Sequence, residues 1–182
     1  MSDCKKNRKV YIVLTYTGTA LAKIIKYYTK AEYCHVSLAL DENLNKMYSF
    51  GRLNPYNPFI GGFVQEGIKT GTFKRFKNTT AAVYSIDLTE KQYKTIRKTI
   101  KWFKKNKKEY SFNIIGLFAS GFNFKYQKER SFYCAEFVKY LIDKAELELD
   151  LPELIKPIDF KNLDKLELQY SGKLQNYKLI ND

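Results

Sequence analysis

The order of strand-like and helix-like segments is the feature of this chain that most constrains its fold. Short apolar segments, which are typical of strands, dominate residues 9–88, and one helical pattern over residues 20–29 interrupts them. Two longer helical patterns follow, over residues 89–108 and 131–145. Because strands and helices fall in separate runs and do not alternate as strand–helix–strand units, the sequence predicts an α+β domain.

The remaining predicted elements cover most of the chain. Six strands are expected, at residues 9–16, 33–40, 46–51, 63–66, 72–76 and 81–88. A turn at residues 41–45 joins the second and third strands into a hairpin. Residues 52–62, which hold two prolines and two glycines, are predicted to be a loop. A short helix at residues 112–118 and a terminal hairpin at residues 166–177 complete the pattern, so residues 1–182 are expected to form one domain.

Composition limits the class of protein. The chain has 182 residues, of which 45% are hydrophobic and 28% are charged, and its formal net charge is +13. These values exclude a disordered or low-complexity chain, and no apolar run approaches the roughly 18–20 residues that a membrane-spanning helix needs. The apolar stretch at residues 10–14 is too short for the core of a signal peptide. We therefore expect a soluble, cytoplasmic protein.

Three cysteines and one histidine restrict the possible chemistry: Cys4, Cys34, Cys134 and His35. An odd, widely spaced set of cysteines is no disulfide framework. A structural zinc site needs four ligands, usually in closely spaced pairs, whereas Cys34 and His35 are adjacent and would point to opposite faces of a strand. We therefore expect neither a metal nor another cofactor.

Cys134 is the sharpest candidate for a catalytic residue. Ser131 is a good N-cap residue for the helix that follows, and this cap would place Cys134 in the first helical turn. The unpaired backbone N–H groups and the helix dipole favour a thiolate there, as a nucleophilic cysteine requires. The alternative is a small buried core cysteine without a chemical role.

His35 is the general base in any Cys–His pair, because it is the only histidine of the chain. Alternation along residues 33–40 puts Cys34, Val36 and Leu38 on an apolar face and His35 on the smaller, more polar face. Cys34 is therefore predicted to lie in the core. A lone histidine in a strand is more often structural than catalytic, which is the alternative for His35.

A third group should orient the imidazole of such a base. The turn at residues 41–45 pairs Gly51 with His35, which places Ser49 diagonal to His35 on the same face, within hydrogen-bond reach. A register slip of one residue would replace Ser49 with Tyr48 and Arg52.

Glu66 is the other candidate for this orienting role. It follows the glycine-containing segment at residues 61–65. Its carboxylate could hold the imidazole, but we slightly favour the alternative, a solvated carboxylate at the end of a strand.

Several segments, taken in order, resemble one family of enzymes. They are residues 14–19 (LTYTGT), 34–38 (CHVSL), 48–52 (YSFGR), 110–117 (YSFNIIGL) and 132–138 (FYCAEFV). They resemble the permuted papain-like amidases, the YiiX-like, circularly permuted branch of the NlpC-type cysteine hydrolases, in which the histidine precedes the cysteine. The resemblance implies a circularly permuted papain-like fold, with a central antiparallel sheet or barrel packed against helices.

The same resemblance implies a Cys–His dyad with a polar third residue on the strand after the histidine. Many relatives carry Glu at that third position, where the nearest residues of this chain are Tyr48 and Ser49. A second departure is Ala135, because serine often follows the cysteine in the family.

The implied reaction is acyl transfer on a small-molecule or peptide-like substrate with an amide or acyl group. His35 would take the proton of Cys134, and the thiolate would attack the carbonyl carbon. The backbone N–H of Cys134 and the side chain of Tyr16 would hold the oxyanion. Water would then resolve the thioester, which makes the predicted activity that of a cysteine amidase or peptidase.

A lysine-rich helix accounts for much of the positive charge. Its basic residues are Lys91, Lys94, Arg97, Lys98, Lys101, Lys104, Lys105, Lys107 and Lys108. They could contact an anionic surface such as phospholipid headgroups, although a run of charges is more often a solvated face. No recognisable nucleic-acid motif accompanies them, so no sequence-specific nucleic-acid partner is expected.

Two other functions remain open. The fold could serve an acyltransferase or a lipid or ester hydrolase, which would need an apolar site mouth, for example Leu117, Phe118, Phe122 and Phe124. Alternatively, the dyad could have decayed in a non-catalytic binding module that uses its basic helix on anionic surfaces.

Overall fold

The computed structural model describes residues 8–54 and 57–177. This part of the chain forms eight strands and five helices, in the order β1 (Arg8–Tyr16), α1 (Ala20–Thr29), β2 (His35–Ala39), β3 (Met47–Asn54), β4 (Asn57–Glu66), α2 (Gly71–Arg75), β5 (Thr80–Leu88), α3 (Glu90–Lys105), β6 (Ser111–Phe112), α4 (Ile114–Gly121), β7 (Ser131–Phe132), α5 (Cys134–Lys144) and β8 (Glu167–Lys173). Short 3₁₀ segments lie at Lys107–Glu109, Pro157–Asn162 and Leu174–Asn176. Cys4 lies outside the described residues.

Six strands form one antiparallel sheet in the order β4-β3-β2-β1-β5-β8. β6 and β7 form a separate, short parallel pair. β1 lies inside the sheet because it is apolar on both faces: Ile12 and Leu14 belong to one core, and Tyr11 and Val13 to the other. The predicted α+β class, with helices packed on an antiparallel sheet, is confirmed.

Each face of the sheet carries its own core. The larger core lies beneath α3 and α5 and includes Phe50, Phe103 and Phe137. The ring of Phe137 lies 5.2 Å from each of the other two rings, centre to centre. The smaller core, on the opposite face, includes Phe73 of α2 and Leu174. Both faces are therefore covered near the middle of the sheet.

The predicted starts of α1 and α3 are confirmed. Thr19 Oγ1 accepts a hydrogen bond from the N–H of Ala22 at 3.3 Å, and Thr89 Oγ1 accepts one from Gln92 at 3.2 Å. Each threonine thereby satisfies a backbone donor that the helix itself leaves unpaired. The predicted short helix is also present, two residues later than expected, as α4.

The predicted loop at residues 52–62 is wrong, because β3 continues into it and β4 begins within it. A proline at position 58 is tolerated because β4 lies at the edge of the sheet. The glycine at position 61 serves packing: a Cβ there would lie 2.6 Å from the Cβ of Phe112 and 2.9 Å from the backbone oxygen of Gly51.

Two further elements differ from the prediction. Residues 72–76 were expected as a strand, but residues 72–75 belong to α2, and Phe73 is buried in the smaller core. Residues 166–177 were expected as a hairpin that turns at Ser171 and Gly172, yet β8 runs straight through both residues. β8 pairs with β5 along its length, so this segment bonds to the edge of the main sheet and does not fold back on itself as a hairpin.

No helix among the described residues is both long enough and apolar enough to cross a membrane.

Candidate active site

One cavity brings together the cysteine and the histidine singled out by the sequence. Its volume is about 60 Å³, which is room for a few water molecules or for the reacting end of a substrate. The polar and ionisable residues that line it are Thr15, Thr17, Thr19, Cys34, His35, Arg52, Glu66, Thr72 and Cys134. Apolar side chains from α1 and α4 form much of the remaining wall.

Cys134 is the first residue of α5, and its side chain is buried. The N-cap is Tyr133 and not Ser131, which corrects the expected cap, because Ser131 and Phe132 form β7. The N–H of Tyr133 donates to Glu136 Oε2 at 3.0 Å, and its phenol donates to the backbone oxygen of Ile155 at 2.8 Å. The start of the helix is therefore fixed, and the expected place of Cys134 in the first turn is confirmed.

His35 opens β2 and packs directly against Gly51 on β3. The pairs Leu38–Tyr48 and Ala39–Met47 have the register expected from the turn at residues 41–45. A Cβ at position 51 would lie 3.2 Å from His35 Cε1. The imidazole thus occupies the space that a side chain at position 51 would need. The side chain of His35 is 20% exposed.

Glu66 is the residue that binds the imidazole. Its Oε2 lies 2.9 Å from His35 Nε2 and accepts a hydrogen bond of 2.6 Å from the hydroxyl of Ser37. The hydroxyl also lies 3.2 Å from His35 Nε2. The Glu66 side chain is only 9% exposed, so its interpretation as a solvated carboxylate is wrong. Pairing with Met47 in β3 puts Glu66 on the same face of the sheet as His35.

The electrostatics of the cavity favour a protonated imidazole. Burial lowers the pKa of His35, but the charge of Glu66 and the hydrogen bonds to Cys134 and Glu66 outweigh burial and raise this pKa to about 10. Burial raises the pKa of Glu66, but the nearby charge of His35 and its hydrogen bond hold it below its ordinary value. Nε2 faces Glu66, so Nδ1 is the ring nitrogen that the carboxylate does not occupy.

Two expectations are wrong: Ser49 does not bind the imidazole, and Tyr16 does not line the cavity. The hydroxyl of Ser49 donates to the backbone oxygen of Val36 at 2.7 Å. The Tyr16 ring lies beneath Lys26, whose Nζ is 4.6 Å from the ring centre. Within the described part of the chain, Thr15 and Thr17 line the cavity, and Tyr16 between them does not.

Thr15 is a site residue that the sequence did not reveal. It lies opposite His35 in the pairing of β1 with β2, lines the cavity and is fully buried. Its Oγ1 has no hydrogen-bond partner within residues 8–54 and 57–177. A buried hydroxyl without a partner costs free energy, so a ligand that accepts its hydrogen bond would be favoured. A single polar residue in an otherwise apolar strand segment is the signal that could have identified it.

Cys34 lines the same cavity but is held differently. Its Sγ lies 3.4 Å from the backbone oxygen of Ala22 and serves as the donor. Burial, with a smaller contribution from the charge of Cys134, raises the pKa of Cys34 to about 11. The predicted burial of Cys34 is confirmed, and its thiol is an internal reference for the reactivity of Cys134.

The wall of the cavity continues into an apolar surface. Leu117 of α4 lines the cavity, Phe118 is half-buried, and Phe122 and Phe124 are exposed. The ring of Phe122 lies 5.5 Å from that of Tyr28 on α1, so the two helices share one aromatic surface.

No protein-family model, no curated protein and no solved structure matches this chain. What the site can do chemically is therefore inferred from its geometry.

Proposed function

We propose that this protein is a cysteine hydrolase, an amidase or peptidase of the permuted papain-like type, with Cys134 as the nucleophile and His35 as its base. The observation that carries the proposal is the buried pair of His35 and Glu66 in the same cavity as Cys134 at a helix N-terminus. A nucleophile, a base and a group that orients the base are the three parts that such catalysis needs.

The reaction would proceed in two steps. With the Cys134 proton held on His35, the thiolate attacks the carbonyl carbon and forms a C–S bond. His35 then gives its proton to the leaving amine as the C–N bond breaks, which leaves a thioester. Water then attacks the thioester carbonyl while His35 accepts one of its protons. The C–S bond breaks, the carboxylic acid leaves, and the Cys134 thiolate is restored beside the protonated His35. Glu66 stabilises the imidazolium throughout and keeps its ring in one orientation.

Two donors are available for the oxyanion of the tetrahedral intermediate. The backbone N–H of Cys134 is among the first-turn donors that a helix leaves unpaired. The orphan hydroxyl of Thr15 is the second donor and takes the role that the sequence assigned to Tyr16. Both donors are in place before substrate binds, which is the condition for effective oxyanion stabilisation.

The order of the elements supports the permuted papain-like assignment. The strand that carries His35 precedes the helix that carries Cys134, as in the family that the sequence resembles. The third residue comes from β4, one strand later than the family pattern suggests, and it is a glutamate. Glu66 thus supplies the carboxylate that many relatives carry at the position of Tyr48 and Ser49.

The alkylation rate of each cysteine tests the proposal. Iodoacetamide labelling across pH 5–9, read by peptide mass spectrometry, should show Cys134 reacting well below pH ~8.5, near which ordinary thiols titrate. Cys34 should react far more slowly in the same sample. Replacing His35 with alanine should abolish the fast reaction of Cys134. Equal rates for both cysteines at neutral pH would refute an activated nucleophile and favour the binding-module alternative.

A second candidate is an ester or lipid acyl hydrolase or an acyltransferase with the same dyad. The aromatic surface shared by α1 and α4, with Tyr28 and Phe122 exposed beside the cavity wall, favours a substrate that carries an acyl chain. Turnover of acyl esters in preference to peptide amides would select this candidate. Contact of the α3 lysines with an anionic surface stays a prediction in either case.

A further inference from the structure

A cation in the cavity wall has no part in the mechanism above. Arg52 of β3 is half-buried and lines the cavity together with His35, Glu66 and Cys134. Within the described part of the chain its guanidinium makes no hydrogen bond and no ion pair. The guanidinium carbon lies 5.7 Å from the centre of the Phe76 ring.

A second guanidinium approaches the same ring. Arg75, at the end of α2, has its guanidinium carbon 5.4 Å from the centre of the Phe76 ring. Burial and the charge of Arg75 lower the pKa of Arg52, while the charge of Glu66 works in the opposite direction. The positive charge of Arg75 adds to the positive potential around Arg52, and a positive potential favours binding of an anion there.

Glu66 does not already fill that role. Its Oε2 binds His35 and Ser37, and no ion pair joins Glu66 to Arg52 in the described structure. The guanidinium therefore keeps its donors for a ligand. A guanidinium offers paired N–H groups that match the two oxygens of a carboxylate or phosphate. The hydroxyl-bearing Thr72 lines the same part of the wall and offers a further donor.

We propose that Arg52 forms a subsite for an anionic group of the substrate, a carboxylate or a phosphate, next to the reacting centre at Cys134. The substrate is then an acyl or amide compound that carries a negative charge close to its scissile bond. This assignment deepens the proposed function and rests on it for the reacting end of the substrate. The subsite itself can be measured without any turnover.

Two alkylating reagents of nearly equal size test the subsite directly. Iodoacetate and iodoacetamide form the same C–S bond with Cys134 and release iodide, but only iodoacetate carries a carboxylate. We expect the ratio of the iodoacetate rate to the iodoacetamide rate at Cys134 to fall roughly tenfold in Arg52→Gln, which is the worth of a charge-assisted hydrogen bond. Lys74→Gln removes a nearby exposed charge from α2 and should leave the ratio unchanged. Circular dichroism confirms that both variants fold.

Protection by simple anions distinguishes the two ligand chemistries. Inorganic phosphate and acetate are each added as competitors to the alkylation of Cys134 by iodoacetate. Stronger slowing by phosphate would indicate a phosphate group on the substrate, and stronger slowing by acetate would indicate a carboxylate. A rate ratio that is the same in the wild type and Arg52→Gln would overturn the subsite.

If Cys134 does not react, the proposed function is refuted and the alkylation ratio cannot test the subsite. A second measurement then tests the subsite without Cys134. Because His35 is the only histidine, its imidazole signal in NMR is unambiguous. Inorganic phosphate or acetate should shift that signal in the wild type and in Lys74→Gln, at concentrations that leave it unmoved in Arg52→Gln. The same response in all three proteins would refute the subsite independently of any chemistry at Cys134.

Discussion

Replacing Glu66 with glutamine tests the electrostatic basis of the site. The pKa of His35 is raised from 6.5 to about 10, which corresponds to about 5 kcal/mol in favour of the protonated imidazole. Glu66 raises this pKa through its charge and a hydrogen bond, and Cys134 raises it in the same two ways. Since an opposite charge at this distance changes a pKa by about 1–3 units, Glu66→Gln should lower the pKa of His35 by that amount.

The assay is an NMR titration of the single histidine, labelled in its ring, from pH 5 to 11. Cys134→Ala should lower the pKa of His35 by less than Glu66→Gln does, because the charge of Glu66 is the largest favourable contribution. The double variant leaves only burial, so its histidine should titrate below 6.5. Ser37→Ala is the matched control, because it removes a hydrogen bond to Glu66 and keeps the charge.

Two outcomes contradict this reasoning. The first is a wild-type His35 that titrates at or below its ordinary pKa, which would mean that burial outweighs both anionic groups. The second is a pKa of His35 that falls no further in Glu66→Gln than in Ser37→Ala. The linked stability gives a further check: a raised histidine pKa stabilises the fold fully below pH 6.5, and this contribution is lost as the pH rises towards 10. That loss should be smaller in Glu66→Gln.

Three other substitutions have defined outcomes. Gly51→Ala puts a methyl group 3.2 Å from the ring of His35, so alkylation of Cys134 should slow roughly tenfold while the melting temperature changes little; an unchanged rate would show that the ring can move aside. Thr15→Val removes the orphan hydroxyl and should reduce turnover of an amide or ester by roughly tenfold or more, with iodoacetamide alkylation unaffected because that reaction forms no oxyanion. Burial raises the pKa of Glu136 to about 7, so the fold loses stability as the pH rises from 4.5 through 7, and Glu136→Gln should remove about 1–3 kcal/mol of this dependence. Urea unfolding at pH 5 and pH 8 measures that dependence, and parallel changes in both proteins would contradict the assignment.

The sequence predicted the parts of the fold that depend on local signals. The helical pattern over residues 20–29 located α1, and the length of the turn at residues 41–45 identified the register that sets His35 against Gly51. The place of Cys134 in the first turn was also predicted correctly, although the cap is Tyr133.

The errors share one physical cause, which is that distant packing overrode a local signal. Prolines and glycines indicated a loop before Glu66, whereas the edge of the sheet tolerates the proline and Phe112 requires the glycine at position 61. Without the hairpin of β3 and β4, no register placed Glu66 beside His35. Thr15 was missed because an unpartnered hydroxyl becomes evident only when every neighbouring donor and acceptor is known.

The separation of His35 and Cys134 along the chain has a consequence for how the protein folds. His35 and Cys134 are separated by more than half of the chain's 182 residues, and they meet only when α5 packs on β2. Contacts between such distant residues form late, since closing the intervening loop costs entropy before packing compensates for it. A nascent or partly folded chain therefore carries an ordinary thiol at position 134. The activation proposed for Cys134 would arise together with the native core, so the alkylation rate of Cys134 would report when folding is complete.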